Sequence, residues 1–424
     1  MRACVVTIVF VLLVSVAGTA RVVGADVAPG DVITKANAEQ VKDLTSPGLY
    51  WCVQHGLPMR IVEPRKLAWP AAYREATEKY WAQVKLSKDG LTLEGYVAGA
   101  PFPRIDPSDP QVATKLVWNY NYKSINNDDF DLHDFDADTG AISDDRAMTI
   151  ERHFLIEHFR RLWYVNRLYV DPKPQRDPNP EGVAYKETLH PLIEPFDLKG
   201  VGFLYYRYLD SGRQDDSWLY LPSLRRVRRL STAQRSDALF GQDTDIDSYY
   251  GFSGQPAWTT WKYLGEKTIL VVTHAEHFPV KWAEPPNDWA FDDVWEKSDV
   301  YVVEGVSRLP QYAYSKRVLY ISKDIFAIPY SDMYDKSGEL WKIWINDVKF
   351  ARKPFDGAMS AVYDYDVPFA PAITMIDMQL LHATRASLPS HRFPGEEGWY
   401  YNFGDEKGTN EEQFTIAELI KSGH

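Results

Sequence analysis

Residues 214–247 read QDDSWLYLPSLRRVRRLSTAQRSDALFGQDTDID, which sets a short aromatic run, a ladder of arginines and an acidic loop beside one another. Trp218 to Pro222 is apolar and aromatic, and Leu224 to Ser231 is a second run able to pair with a neighbouring strand. Side chains alternate along a strand, so Arg226 and Arg228 share a face with Leu224 and Leu230, while Arg225 and Arg229 flank Val227 on the other. One arginine pair is then expected to face inward. A buried guanidinium without a partner costs several kcal/mol even after relaxation, so a partner is expected too. Two are available: the carboxylates of Asp243, Asp245 and Asp247 just downstream, or an anionic group on a bound molecule, which a bidentate guanidinium suits.

The runs WLYLPSLRRVRRLS (218–231) and LFGQDTDIDSYYGFSG (239–254) resemble the signature of a Gram-negative family, domain-of-unknown-function family 1329, which is related to the LolA and LolB lipoprotein carriers. The resemblance extends through PGDVITKANAEQVKDL (29–44), DGLTLEGYVAGAPFPRIDPSDPQVATKLVWN (89–119), KRVLYISKDIFAIPYSDMYDKSGELWK (316–342) and FTIAELIKSG (414–423), in order. It implies a LolA-like fold: a β-rich α+β half-barrel, in which a strongly curved antiparallel sheet wraps around plugging helices and encloses an apolar cavity for acyl chains or other lipids. It also implies a periplasmic protein working beside an inner-membrane exporter of the resistance-nodulation-division type. It implies no measured activity.

The N-terminus fits export. Arg2 precedes an apolar run from Val5 to Val16 and small residues leading to Ala25, the pattern of a signal peptide cleaved after Ala25, with Ala20 as the alternative. That run is too short to span a bilayer. Residues 1–25 hold two arginines and no acids, so cleavage moves the formal charge from −12 to −14. Such a balance argues against nucleic acid and against adsorption on anionic head groups. Of the two cysteines only Cys52 remains after cleavage, so no internal disulfide holds the fold, and Cys52 reads as a small buried hydrophobe. With 14 Trp, 26 Tyr and 19 Phe the chain can line an aromatic cavity or cover a wide sheet.

Residues 26–424 read as one domain, with a helical elaboration over about 26–170 and a surface-wrapping tail over about 385–424. Helices are expected near Asn37 to Leu44, Tyr73 to Leu86, Arg146 to Val165 and Thr415 to Lys421. The third is the longest, because Phe154, Leu155, His158, Phe159, Leu162 and Trp163 fall at helical spacing. The first three are the expected plugs. The connector DPKPQRDPNP (171–180) is too rich in proline for regular structure. From Val201 onward short strand runs alternate with turn signals, which implies antiparallel pairing; in Leu340 to Ile345 one apolar face alternates with Lys342 and Trp344 after the turn Asp335 to Gly338.

Asp134, Asp136, Asp138 and Asp145 resemble a calcium loop in their alternation and final acid, but Thr139 stands where the loop needs glycine and Asp145 is short for bidentate reach. The competing expectation is a solvated acidic loop with Asp145 capping the helix at Arg146. His274, Glu276 and His277 lack zinc-protease spacing, as do His153, Glu157 and His158. Neither the nucleophile elbow nor the dinucleotide fingerprint is complete at Gly251 to Gly254 or at Gly200.

Together with what the resemblance implies, the expected function is a carrier or chaperone of the periplasm that binds a lipid or other amphipathic molecule without covalent chemistry, metal or cofactor. Trp218, Tyr220, Arg226 and Arg228 are the expected cargo contacts, and an exporter or an outer-membrane protein the expected partner. A hydrolase using acidic residues, or a non-catalytic adaptor with a filled interior, is the alternative.

Overall fold

The computed structural model describes residues 27–231, 234–357, 359, 361–393 and 395–423, so the segment read as a signal peptide lies outside the described residues. Alternation of apolar residues along the strands produces one large antiparallel sheet. From one edge its order is Arg226–Arg229, Asp216–Leu221, Gly202–Tyr208, Val183–Leu189, Thr149–Trp163, Asp129–Ala141 and His382–Ser387. It continues with Val367–Asp377, Leu340–Ala351, Tyr330–Tyr334, Lys316–Ser322, Val294–Ser307 and Thr259–Val271. Arg60 and Ile61 add a short parallel neighbour to Val294 and Trp295, which makes the sheet mixed. The two end strands do not pair with each other among the described residues, so the sheet is not closed. It curls nonetheless: Trp163 and Val271, far apart in strand order, line one cavity.

The turn Asp335 to Gly338 forms as its residues demand. The Asp335 carboxylate accepts from the Ser337 and Glu339 amides at 2.9 Å, and Gly338 takes the left-handed φ of +85°.

The expected helix over Arg146 to Val165 is instead the strand Thr149–Trp163, paired on both sides. Helical spacing of its apolar residues was real, but neighbouring strands decide the outcome. Arg160 and Arg161 point to opposite faces, and each meets an acid on an adjacent strand, Asp131 and Glu187 respectively, at 2.7 Å. In a helix neither partner would be reachable. Asp145 accordingly caps no helix; it is exposed and accepts from the Ser143 hydroxyl at 2.5 Å.

Two helices cover opposite faces of the sheet. Pro47–Gln54 buries Leu49, Cys52 and Val53 in a cluster with Val318 and Tyr320. Val112–Asn121, a helix not among those expected from the sequence, buries Leu116, Val117 and Tyr120 against Leu319 and Ile321 of the same strand. Of the expected plugs, Asn37 to Leu44 is a 3-10 helix over Lys35–Leu44, and Tyr73 to Leu86 shortens to Ala71–Tyr80.

The tail differs from a surface wrap: His382–Ser387 and Trp399–Tyr401 are strands that pair with Asp129–Ala141. The final helix runs Ile416–Lys421 with Thr415 as its cap, and Leu419 packs on Tyr220. No helix among the described residues is long and apolar enough to cross a membrane.

Candidate functional site

A cavity with an empty volume of about 950 Å³, its open mouth included, lies between the sheet and the chain that leaves Val112–Asn121. Its wall is mostly apolar and aromatic, with Phe130, Trp163, Val271, Ile328, Trp399 and Tyr401 from five separate segments. The tail strand thus supplies two of its rings. A second hollow of about 1070 Å³ is built largely by the quoted stretch, with Ser217 and Leu219 on one side and Leu230 to Phe240 on another. Between the two stand Phe159, Tyr249 and Tyr250, with Phe159 ring centroids 6.1 Å and 6.4 Å from the tyrosines.

Two cationic side chains, Arg161 and Lys123, line the first cavity. Arg161 is buried and held by Glu187, its guanidinium 4.7 Å from both the Tyr185 and Tyr250 rings. Lys123 is also buried, at 9% exposure, with its ammonium 4.3 Å above the Tyr120 ring. Burial, reinforced by the Arg161 charge, lowers the Lys123 amine to about 7. Its hydrogen bond to the Tyr120 carbonyl is long, 3.5 Å. Tyr250 sits in the left-handed region at φ +60°, and Gly251 follows at +92°, where a Cβ would meet Ile328 Cγ2 at 2.5 Å. A non-glycine residue held there is a local strain of the kind that clusters at binding sites.

The residues singled out in the sequence lie elsewhere. Tyr220 is buried and Trp218 half-buried, both in the cluster formed with Phe414 and Leu419 of the C-terminus, so they face away from Leu219 and the second hollow. Neither arginine pair faces inward: Arg225, Arg226, Arg228 and Arg229 are all exposed. The reason is position. Their strand pairs only with Asp216–Leu221 among the described residues, and a charged edge strand resists pairing with other chains. Arg229 bonds Asp216.

Asp243, Asp245 and Asp247 do not meet the ladder either, although all three are buried. Asp247 accepts from Arg235 Nε at 2.5 Å, and Arg235 also donates to Asp215 at 2.8 Å, as does Arg207. Two arginines and two aspartates thus neutralise one another. Asp245 accepts from Tyr314 and Ser248, and Asp243 from Thr384 while it pairs with His382 at 2.8 Å. Of the three aspartates expected to neutralise the ladder, only Asp247 bonds an arginine among the described residues, and that is Arg235, beyond the ladder.

The calcium reading fails on geometry. Asp134, Asp136 and Asp138 lie in an extended strand, and the carboxylates of Asp136 and Asp138 already meet cations, Arg392 and His153 for the first, Arg385 and His153 for the second. Asp131, His133 and His158 bring three potential ligand atoms within 4.8 Å. Arg160 donates to the same carboxylate at 2.7 Å and supplies the positive charge a cation would. Asp129 and Asp332, both pushed up to about 7 by burial, accept from backbone amides at Gly404 and Gly48 and line neither cavity.

Residues 32–419 match the family described as protein of unknown function, DUF1329. The chain belongs to that family. No curated protein matches this DUF1329 chain. Among solved structures it is similar to a Vibrio parahaemolyticus domain labelled outer membrane lipoprotein-sorting, at 18% identity and TM-score 0.43 over 69% of this chain and 91% of that one. A DUF1329 protein of Desulfovibrio piger gives 14% identity and 0.43 over 72% and 96%, and a LolA superfamily protein of Nitrosomonas europaea 16% and 0.39 over 72% and 98%.

Proposed function

We propose that this DUF1329 protein is a carrier of the cell envelope that holds a lipid or other amphipathic molecule in the apolar cavity and performs no covalent chemistry on it. The observation that carries this reading is the cavity itself, walled mostly by aromatic and aliphatic side chains, a lining that suits a small amphiphile. Each buried methylene contributes about 0.8 kcal/mol, so chain length sets most of the affinity. Export through the N-terminal segment would place the carrier in the periplasm, where an inner-membrane exporter or an outer-membrane protein would load or unload it. Arg226 and Arg228 become a surface for such a partner rather than cargo contacts, since they are exposed on an edge strand, while Trp218 and Tyr220 pack against the C-terminus.

Titration with a pyrene-labelled fatty acid tests the reading. The wild type should bind it saturably at one site per chain. Ala370→Trp, which puts an indole into the cavity from a partly exposed position, should weaken binding at least tenfold without lowering Tm. Absence of binding to the wild type, or equal binding to the variant, would remove the reading.

A further inference from the structure

Resting on the carrier reading, we propose that the cavity wall at Lys123 and Tyr250 is an anion site: these two residues take the single negative charge, a carboxylate or phosphodiester, of an otherwise apolar ligand. Among the described residues no carboxylate lies within ion-pairing distance of the Lys123 ammonium. The nearest cationic neighbour makes matters worse, because Arg161 repels it while its own charge is answered by Glu187. An ammonium held out of water without a counter-ion is unfavourable by several kcal/mol, so the fold carries a group whose partner it does not itself provide.

A second, independent gap lies beside it. The Tyr250 hydroxyl is buried and has no hydrogen-bond partner, although Tyr250 lines the same cavity and its ring lies 5.9 Å from the Lys123 ammonium. A buried hydroxyl left unmade costs about 1–3 kcal/mol. One oxyanion closes both gaps, accepting from the ammonium and from the phenol at once. The charge count fixes the class of ligand. Arg161 and Glu187 cancel, leaving one positive charge, so a monoanion is matched and a dianion is not. The apolar wall around it requires that this anion be the head of a chain.

The test compares palmitate with its uncharged analogue hexadecanol, and with acetate as a competitor, on wild type, Lys123→Met and Tyr250→Phe. The wild type should bind palmitate at least tenfold tighter than hexadecanol. Lys123→Met should abolish that preference while still binding hexadecanol, Tyr250→Phe should reduce it several-fold, and acetate should not compete at equal concentration. Equal affinity of the wild type for acid and alcohol, or a preference that survives in Lys123→Met, would overturn the anion site and leave the carrier standing. Acetate competing as well as palmitate would overturn the amphiphile. Failure of the wild type to bind either chain would overturn the carrier reading and the anion site together.

Discussion

Arg235→Ala should destabilise the protein by about 3–5 kcal/mol, the cost of breaking a buried ion pair from one side. Arg235 is 2% exposed and is the shared donor to Asp215 and Asp247, and it donates to the Ser253 carbonyl as well. Without it Asp215 keeps Arg207, but the Asp247 carboxylate loses its guanidinium partner. The whole segment Gln234 to Gly254, which closes the second hollow and delivers Tyr249 and Tyr250 to the partition, is tied to the sheet through this network. Thermal melting should show a Tm lower by on the order of 10 °C, or no folded protein. Arg235→Leu combined with Asp247→Leu removes both charges and should be more stable than Arg235→Ala alone. A single variant within about 1 kcal/mol of wild type would refute the network's role.

Lys123→Met should act in the opposite direction on stability. In cargo-free protein the amine falls to about 7, against about 10.4 in an unfolded chain. Between those values the unfolded state binds more protons, so the penalty for the buried charge is fully present below pH 7 and is relieved as pH rises through 7 toward 10.4. Wild-type stability relative to Lys123→Met should therefore climb by up to about 1.4 kcal/mol per pH unit in that window, and at pH 7 the variant should be the more stable by a few kcal/mol. Arg161 keeps its charge throughout and the neighbouring Tyr120 and Tyr250 hydroxyls are held neutral by burial, so the slope belongs to Lys123. Denaturant unfolding of both proteins at pH 6.5 and pH 9.5, pH values chosen on either side of most of the window, measures it; parallel pH profiles would contradict the assignment.

Much of the sheet was legible because its later strands keep a period of two. Leu340 to Ile345 is the first half of the strand Leu340–Ala351, but both of its faces are covered, Ile343 and Ile345 in one cluster and Trp344 with Trp341 in another. Thr149–Trp163 was not legible, since its apolar residues fit a helix as well as a strand and the arbiters, Asp131 and Glu187, come from distant segments. The quoted stretch carries the family signature, yet its arginines do not lie where its alternation places them. Four charges in five residues look like a ladder with a buried rail, whereas a strand with one neighbour leaves both faces to solvent. The buried arginine was the unremarked Arg235. Lys123 stands in NYNYKSINND, a polar segment that reads as a surface loop; only the folded sheet shows that it is enclosed. Tyr250 lay within the family signature, but an unsatisfied hydroxyl has no sequence pattern.

Native mass spectrometry of protein isolated without detergent from its own envelope, followed by extraction and identification of what it holds, decides whether the cavity carries a monoanionic amphiphile. The expected result is about one equivalent of a single-headed anionic lipid per chain, lost in Ala370→Trp. Protein that arrives empty, or that holds only uncharged lipid, would contradict it.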